Sequence, residues 1–292
     1  AMVSLFDDAP GLHGPGGVIW CGAECRGSAR IYWNIGAGFR PVVKGQRADQ
    51  DIAALLLDLR GGNISGDISV TKNAVYSGAI YDKLYIYGLF SLSDLYTADI
   101  SGGITVNGVV ESLPVYRYHR KNSLARAMYA QGNMVVQEIS GNIQSSSDVS
   151  GDNNAYADSY GMYALGSMSI GAVTGMVSAD SYSETGEAFA RAIHANGDLT
   201  ITEISGTVAA YAAAGTWSNV AMANAIRGDA ISGLDGSAMV ITEGAVVAAH
   251  VIGNSSSVAN AIVATSGMNL DIYGTVSATG TNENGTYRSL YA

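Results

Sequence analysis

From Leu199 to Thr202 apolar and polar residues alternate one by one, Leu199 and Ile201 against Thr200 and Thr202. This period of two is the signature of a strand buried on one face. The strand belongs to a larger pattern. Ala125-Arg126-Ala127-Met128-Tyr129-Ala130 returns as Ala190-Arg191-Ala192-Ile193-His194-Ala195, and at the same offset Glu138-Ile139-Ser140-Gly141 returns as Glu203-Ile204-Ser205-Gly206. Ser159-Tyr160-Gly161-Met162-Tyr163-Ala164 stands between them, so that offset spans two units. With Ala223-Asn224-Ala225-Ile226 and Ala259-Asn260-Ala261-Ile262, units start at 125, 159, 190, 223 and 259. The spacing is close to regular without being fixed.

Each unit reads A-[RN]-A-[MI]-x-A, a glycine turn, [ML]-x-[IV]-x-x-[IV], a second glycine, x-[IV]-x-A and a polar loop. That pattern predicts three short strands per coil, with glycines at corners where other residues resist the backbone angles. The loops, at 145–154, 181–187, 213–219, 253–257 and 280–285, are rich in Ser, Gly and Asn and differ in length. Length variation confined to one segment is what a solenoid tolerates, because neighbouring coils must match only in their stacked strands.

Upstream the pattern weakens, and residues 61–70, 79–88 and 103–110 read as two or three shorter coils. Residues 1–59 do not fit it. They hold three of the four prolines, both cysteines and two of the three tryptophans, and the spacing predicts a helix over 47–59 with Asp49 and Asp51 near its start. We read 1–59 as an irregular N-terminal cap and 60–292 as coils. At the other end, Tyr287–Ala292 aligns with Ala125–Ala130, so the coils are expected either to continue in a longer parent or to offer a surface for self-association.

The unit AIHANGDLTITEISGTVAA, residues 192–210, resembles the right-handed parallel β-helix passenger domains of bacterial surface proteins of the autotransporter and adhesin type. The resemblance covers residues 60–292 and is one of repeat style. It implies an all-β, right-handed parallel β-helix, export to the cell surface or extracellular space, a rod standing off that surface, and recognition placed in loops.

Composition narrows the function classes. Glycine makes up 37 of 292 residues, against about 7% on average, and charged residues 14%, against about 25%. That balance disfavours helical bundles, while 48% hydrophobic residues disfavour disorder. A net charge of −10 argues against a nucleic-acid partner, which needs a basic face. No apolar run reaches the length of a membrane helix, so no membrane insertion is expected in this segment.

Candidate chemistry is sparse. Arg117, Tyr118, Arg120 and Lys121, extended by Arg126, form the one dense basic stretch and read either as a binding site for an anionic glycan or as charges that blunt an edge strand. Glu138, Glu203 and Glu243 take one place in their units, with Ala172 between; Glu203 and Glu243 on adjacent rungs would give the paired carboxylates of a glycoside hydrolase. The bland reading is a solvated strand face. Cys21 and Cys25 are a candidate disulfide, with no second pair to complete a zinc site.

Arg227-Gly228-Asp229 spells an integrin-binding tripeptide, and Asp152, Asp198 and Asp271 beside asparagines read as turn formers or calcium ligands. No nucleophile elbow, P-loop or dinucleotide fingerprint is present, so neither cofactor nor metal is expected. The expectation is an adhesin or structural stalk that binds glycan or a host or neighbouring surface, rather than an enzyme. The alternatives are a polysaccharide-active lyase or hydrolase, or a self-assembling fibre subunit.

Overall fold

A computed structural model of the chain describes residues 30–31, 51–56, 58–76, 81–112, 120–151, 155–215, 220–253, 256–281 and 290–291. Over these residues parallel strands wind into coils with three faces. The first face stacks Asp51–Leu56, Tyr81–Ser91, Arg120–Ala130, Ala155–Ala164, Glu187–Ala195, Ala221–Ser232, Val258–Met268 and Leu290–Tyr291. The second stacks Arg30–Ile31, Asp58–Ile64, Leu95–Ile100, Met134–Ile139, Met168–Val173, Leu199–Ile204, Met239–Ile241 and Leu270–Ile272. The third stacks Ile68–Tyr76, Gly103–Ser112, Asn142–Ser150, Met176–Ser183, Thr207–Ala214, Val246–Ile252 and Thr275–Thr281. Faces one and two form a single hydrogen-bonded sheet because Ala221–Ser232 rounds the corner, pairing with Glu187–Ala195 and then with Leu199 and Thr200. The protein is a parallel β-helix.

The expected unit starts stack residue on residue: Ala125, Ser159, Ala190, Ala223 and Ala259 pair in turn. Ile86 precedes them and pairs with Ala125, and the chain between these two is longer than between any later pair of starts, so the upstream coils are not shorter. The helix expected over 47–59 is replaced by Asp51–Leu56 and Asp58–Ile64, which pair with Tyr81–Ser91 and Leu95–Ile100. An unbroken apolar run such as 52–57 fits either element by periodicity alone. The coils therefore begin before residue 60. At the far end Leu290, downstream of the expected Tyr287, pairs with Ala259. Part of the expected loop at 145–154 is strand, since Asn142–Ser150 pairs with Gly103–Ser112 and Met176–Ser183.

The lumen is apolar and filled from all three faces, by Leu89, Met128 and Ile193 from the first, Ile100, Ile139 and Ile204 from the second, and Ile104, Val177 and Val208 from the third. Where the third face meets the first, buried serines bond within the wall: Ser147 Oγ donates to the Ser123 carbonyl at 2.8 Å and Ser181 Oγ to Ser159 Oγ at 2.9 Å.

The corner between faces two and three explains the second glycine of each unit. At three successive turns two adjacent amides donate to one carbonyl of the coil before: Ser140 and Gly141 to Ile100, Thr174 and Gly175 to Ile139, Ser205 and Gly206 to Val173, all at 2.9 Å. This draws the corners so close that a Cβ on Gly141 would collide with the Gly102 carbonyl, and one on Gly175 with that of Gly141. Gly141→Ala should therefore destabilise the protein by about 1–3 kcal/mol, the usual cost of overpacking. Urea denaturation followed by circular dichroism measures this, and an unchanged midpoint would mean that the corner opens freely.

Candidate functional site

Within each first-face strand the inward positions do not simply alternate. Ala125, Ala127, Met128 and Ala130 are all inside, and so are Ala190, Ala192, Ile193 and Ala195. Two consecutive inward residues put the flanking positions, three apart, on the same outer side. In a straight strand such residues would face opposite ways and lie about 10 Å apart. Here the rings of Tyr87 and Phe90 are 4.8 Å apart and those of Tyr160 and Tyr163 4.5 Å. The wall is thus folded inward along a crease. The small column Gly88, Ala127, Gly161, Ala192, Ala225, Ala261 makes room for it. A Cβ on Gly88 would lie 2.8 Å from Ile104 Cγ2, and one on Gly161 2.9 Å from Val177 Cγ1, both side chains of the opposite wall.

Register then fills the crease with two outer ladders. One runs Tyr87, Arg126, Tyr160, Arg191, Asn224, Asn260; the other Phe90, Tyr129, Tyr163, His194, Arg227, Val263. Tyr87, Tyr129, Tyr160, Arg191 and His194 are buried although they lie outside the apolar core. Rings pack tilted against one another from rung to rung, Tyr129 on Tyr163 at 5.5 Å and Tyr163 on His194 at 5.1 Å. The Arg126 guanidinium lies among four rings, 4.6 Å from Tyr129, 5.3 Å from Tyr163, 5.5 Å from Tyr160 and 5.6 Å from Tyr87. Arg191 sits over Tyr160 at 4.9 Å and Phe189 at 5.4 Å, and its Nη1 donates to Asp158 Oδ1 at 2.6 Å and to the Tyr160 hydroxyl at 2.7 Å. Further along, Asn260 Nδ2 donates to Asn224 Oδ1 at 2.8 Å.

Burial governs the electrostatics. It pushes the Asp158 carboxyl up against the pull of Arg191 and Arg126, and raises the Tyr156 phenol to about 12 and the Tyr160 phenol further. His194 is held down to about 3, first by burial and then by the nearby Arg191 and Arg227. Its imidazole is neutral at physiological pH.

The sites anticipated from sequence fall elsewhere. Arg117 and Tyr118, like Cys21 and Cys25, lie outside the described residues. Arg120 opens a first-face strand, but Lys121 is only 1% exposed, so its ammonium is no surface contact for a glycan. Glu203 stands opposite Ala172 and Val240, not Glu243. Glu243 lies in the next corner, which is longer between Ile241 and Val246 than the corresponding corner between Ile204 and Thr207. Ile-Thr-Glu is spelled at both 201–203 and 241–243, yet Ile241 takes the rung place of Ile204 and not that of Ile201.

Gly228 of the Arg-Gly-Asp tripeptide is buried in a strand, and Asp229 accepts a hydrogen bond from Thr265. Among the described residues no three His, Cys, Asp or Glu side chains gather to hold a metal ion. The repeats displayed Tyr160, Tyr163, Arg191 and His194, but only the doubled inward position, read as a bend, would have brought them together.

Comparison with protein-family models, curated proteins and solved structures gives no match.

The low His194 value has a measurable consequence. Between its ordinary 6.5 and about 3 the unfolded chain takes up a proton that the folded protein refuses. Stability is therefore full above that window and declines as pH falls through it, by about 1.4 kcal/mol per pH unit. His194→Tyr, the residue found on the two preceding rungs, should shrink the loss of stability between about pH 7 and about pH 5. Equal losses in variant and wild type would show that His194 is not the sensor.

Proposed function

We propose that the chain is a binding rod of the adhesin or stalk type, displayed outside the cell, that holds a glycan or a neighbouring surface along the crease of its first face. The observation that carries this reading is the crease itself, a trough of aromatic and cationic side chains repeated rung after rung along the axis. Its groups suit binding better than turnover. A general base works best with a pKa near the operating pH, whereas His194 sits near 3 and Asp158 is engaged by Arg191. Glu203 and Glu243, the carboxylates considered for hydrolysis, share no rung. The repeat style of 192–210 supports the extracellular placement.

A glycan array and a cell-retention assay with the full chain test the proposal. Tyr163→Ser should lower retention at least about tenfold, equivalent to ~1.4 kcal/mol, while Thr207→Ser on the third face leaves it unchanged. Absence of any retention, or cleavage of a bound polysaccharide, would overturn the reading.

A further inference from the structure

The crease holds an imbalance of charge. In a chain of net charge −10, it gathers three guanidiniums, Arg126, Arg191 and Arg227, within a short run of rungs, with the Asp158 carboxylate near the first two. That carboxylate is taken by Arg191. Arg126 has no ion pair among the described residues; its Nη1 donates a long hydrogen bond of 3.3 Å to the Tyr87 hydroxyl, and its buried Nε has no partner. In the buried Arg191 and His194, the Nε of the first and the Nδ1 of the second also have no hydrogen-bond partner. Arg126 and Arg227 are both partly exposed, so an oxyanion can reach their guanidiniums. His194 is held down first by burial and then by Arg191 and Arg227, and that second part records the same positive field.

We propose that the crease is an oxyanion site for an acidic polysaccharide, with the carboxylate or sulfate groups of the chain held by the partly exposed guanidiniums of Arg126 and Arg227. The inference rests on the reading of the protein as a binding rod and adds the charge of its ligand. Guanidinium groups match planar and tetrahedral oxyanions and keep their charge when half-buried. Low surrounding polarity strengthens the attraction. Elsewhere the acidic rod repels a polyanion, so the crease also sets where it lands. A sugar chain rather than a peptide suits a trough whose rungs repeat every ~4.8 Å and whose tyrosine hydroxyls can hydrogen-bond to sugar hydroxyls.

Isothermal titration of the full chain with four probes decides the matter: a uronate oligosaccharide, a sulfated oligosaccharide, a neutral oligosaccharide and a poly-glutamate peptide. One or both acidic sugars should bind, the neutral one at least about tenfold more weakly, with affinity falling as salt is raised. The two acidic arms separate a carboxylate preference from a sulfate preference. Arg126→Gln and Arg227→Gln should each weaken acidic-sugar binding at least about fivefold with unchanged circular dichroism. Because Arg227 is partly exposed, its variant decides alone if the Arg126 variant does not fold.

Equal binding of the neutral sugar would overturn the oxyanion site while leaving the rod reading intact, and so would binding that survives Arg227→Gln. Poly-glutamate binding as tightly as the sugars would overturn the choice of a sugar. No binding to any probe would overturn the oxyanion site, and the array and cell assay then judge the rod reading separately.

Discussion

The structure turns on a doubled inward step in each first-face strand. A residue of the small column, Gly or Ala, is followed at once by Leu89, Met128, Met162, Ile193, Ile226 or Ile262, and both positions face the lumen. A β-strand cannot do that without bending. The bend is possible only because the first residue is small enough to lie against the facing wall, where the Ile104 and Val177 side chains already stand. The lumen loses width, and the outer surface gains a trough that shelters large polar side chains from water.

Sheltering changes what those side chains can be. On a flat outer strand Arg126 and Arg191 would be solvated charges, and their pairs would contribute little. In the crease Arg191 is bound by a carboxylate and a phenol, and Arg126 is wrapped by tyrosine rings, where cation–π attraction is strongest once water is removed. The same desolvation raises the phenols of Tyr156 and Tyr160 and keeps His194 neutral. One backbone feature therefore underlies the geometry, the electrostatics and the proposed recognition. The corner glycines act separately, by setting the rung-to-rung approach on which every ladder depends.

Much of the fold could be read from the chain because its repeats are spelled in the stacked strands themselves. Ala125, Ser159, Ala190, Ala223 and Ala259 match by residue type alone and do pair. Reading failed where spelling and register part. Ile-Thr-Glu at 241–243 copies 201–203, yet an insertion slides it to the next corner, and the apolar run after Asp51 reads as helix but forms strand. The site was legible only in pieces. The basic stretch at 117–121 stands out because its charges are contiguous, whereas the crease assembles its charges from strands a full coil or more apart, and only pairing joins them. Lys121 shows the converse, a residue charged in sequence and buried in the fold.

The crease can be tested without any ligand, through the chemical reactivity of its tyrosines. Brief nitration of the native protein followed by peptide mapping should modify Tyr273 and Tyr182, which are 70% and 41% exposed, and spare Tyr87, Tyr129 and Tyr160, each at 7%. Gly161→Leu, which would push the bend back outward, should render Tyr160 and Tyr163 reactive in a chain that still shows β-structure by circular dichroism. Nitration of Tyr160 in the wild type at the rate of Tyr273, or its continued protection in the folded variant, would contradict the inward fold of the first face.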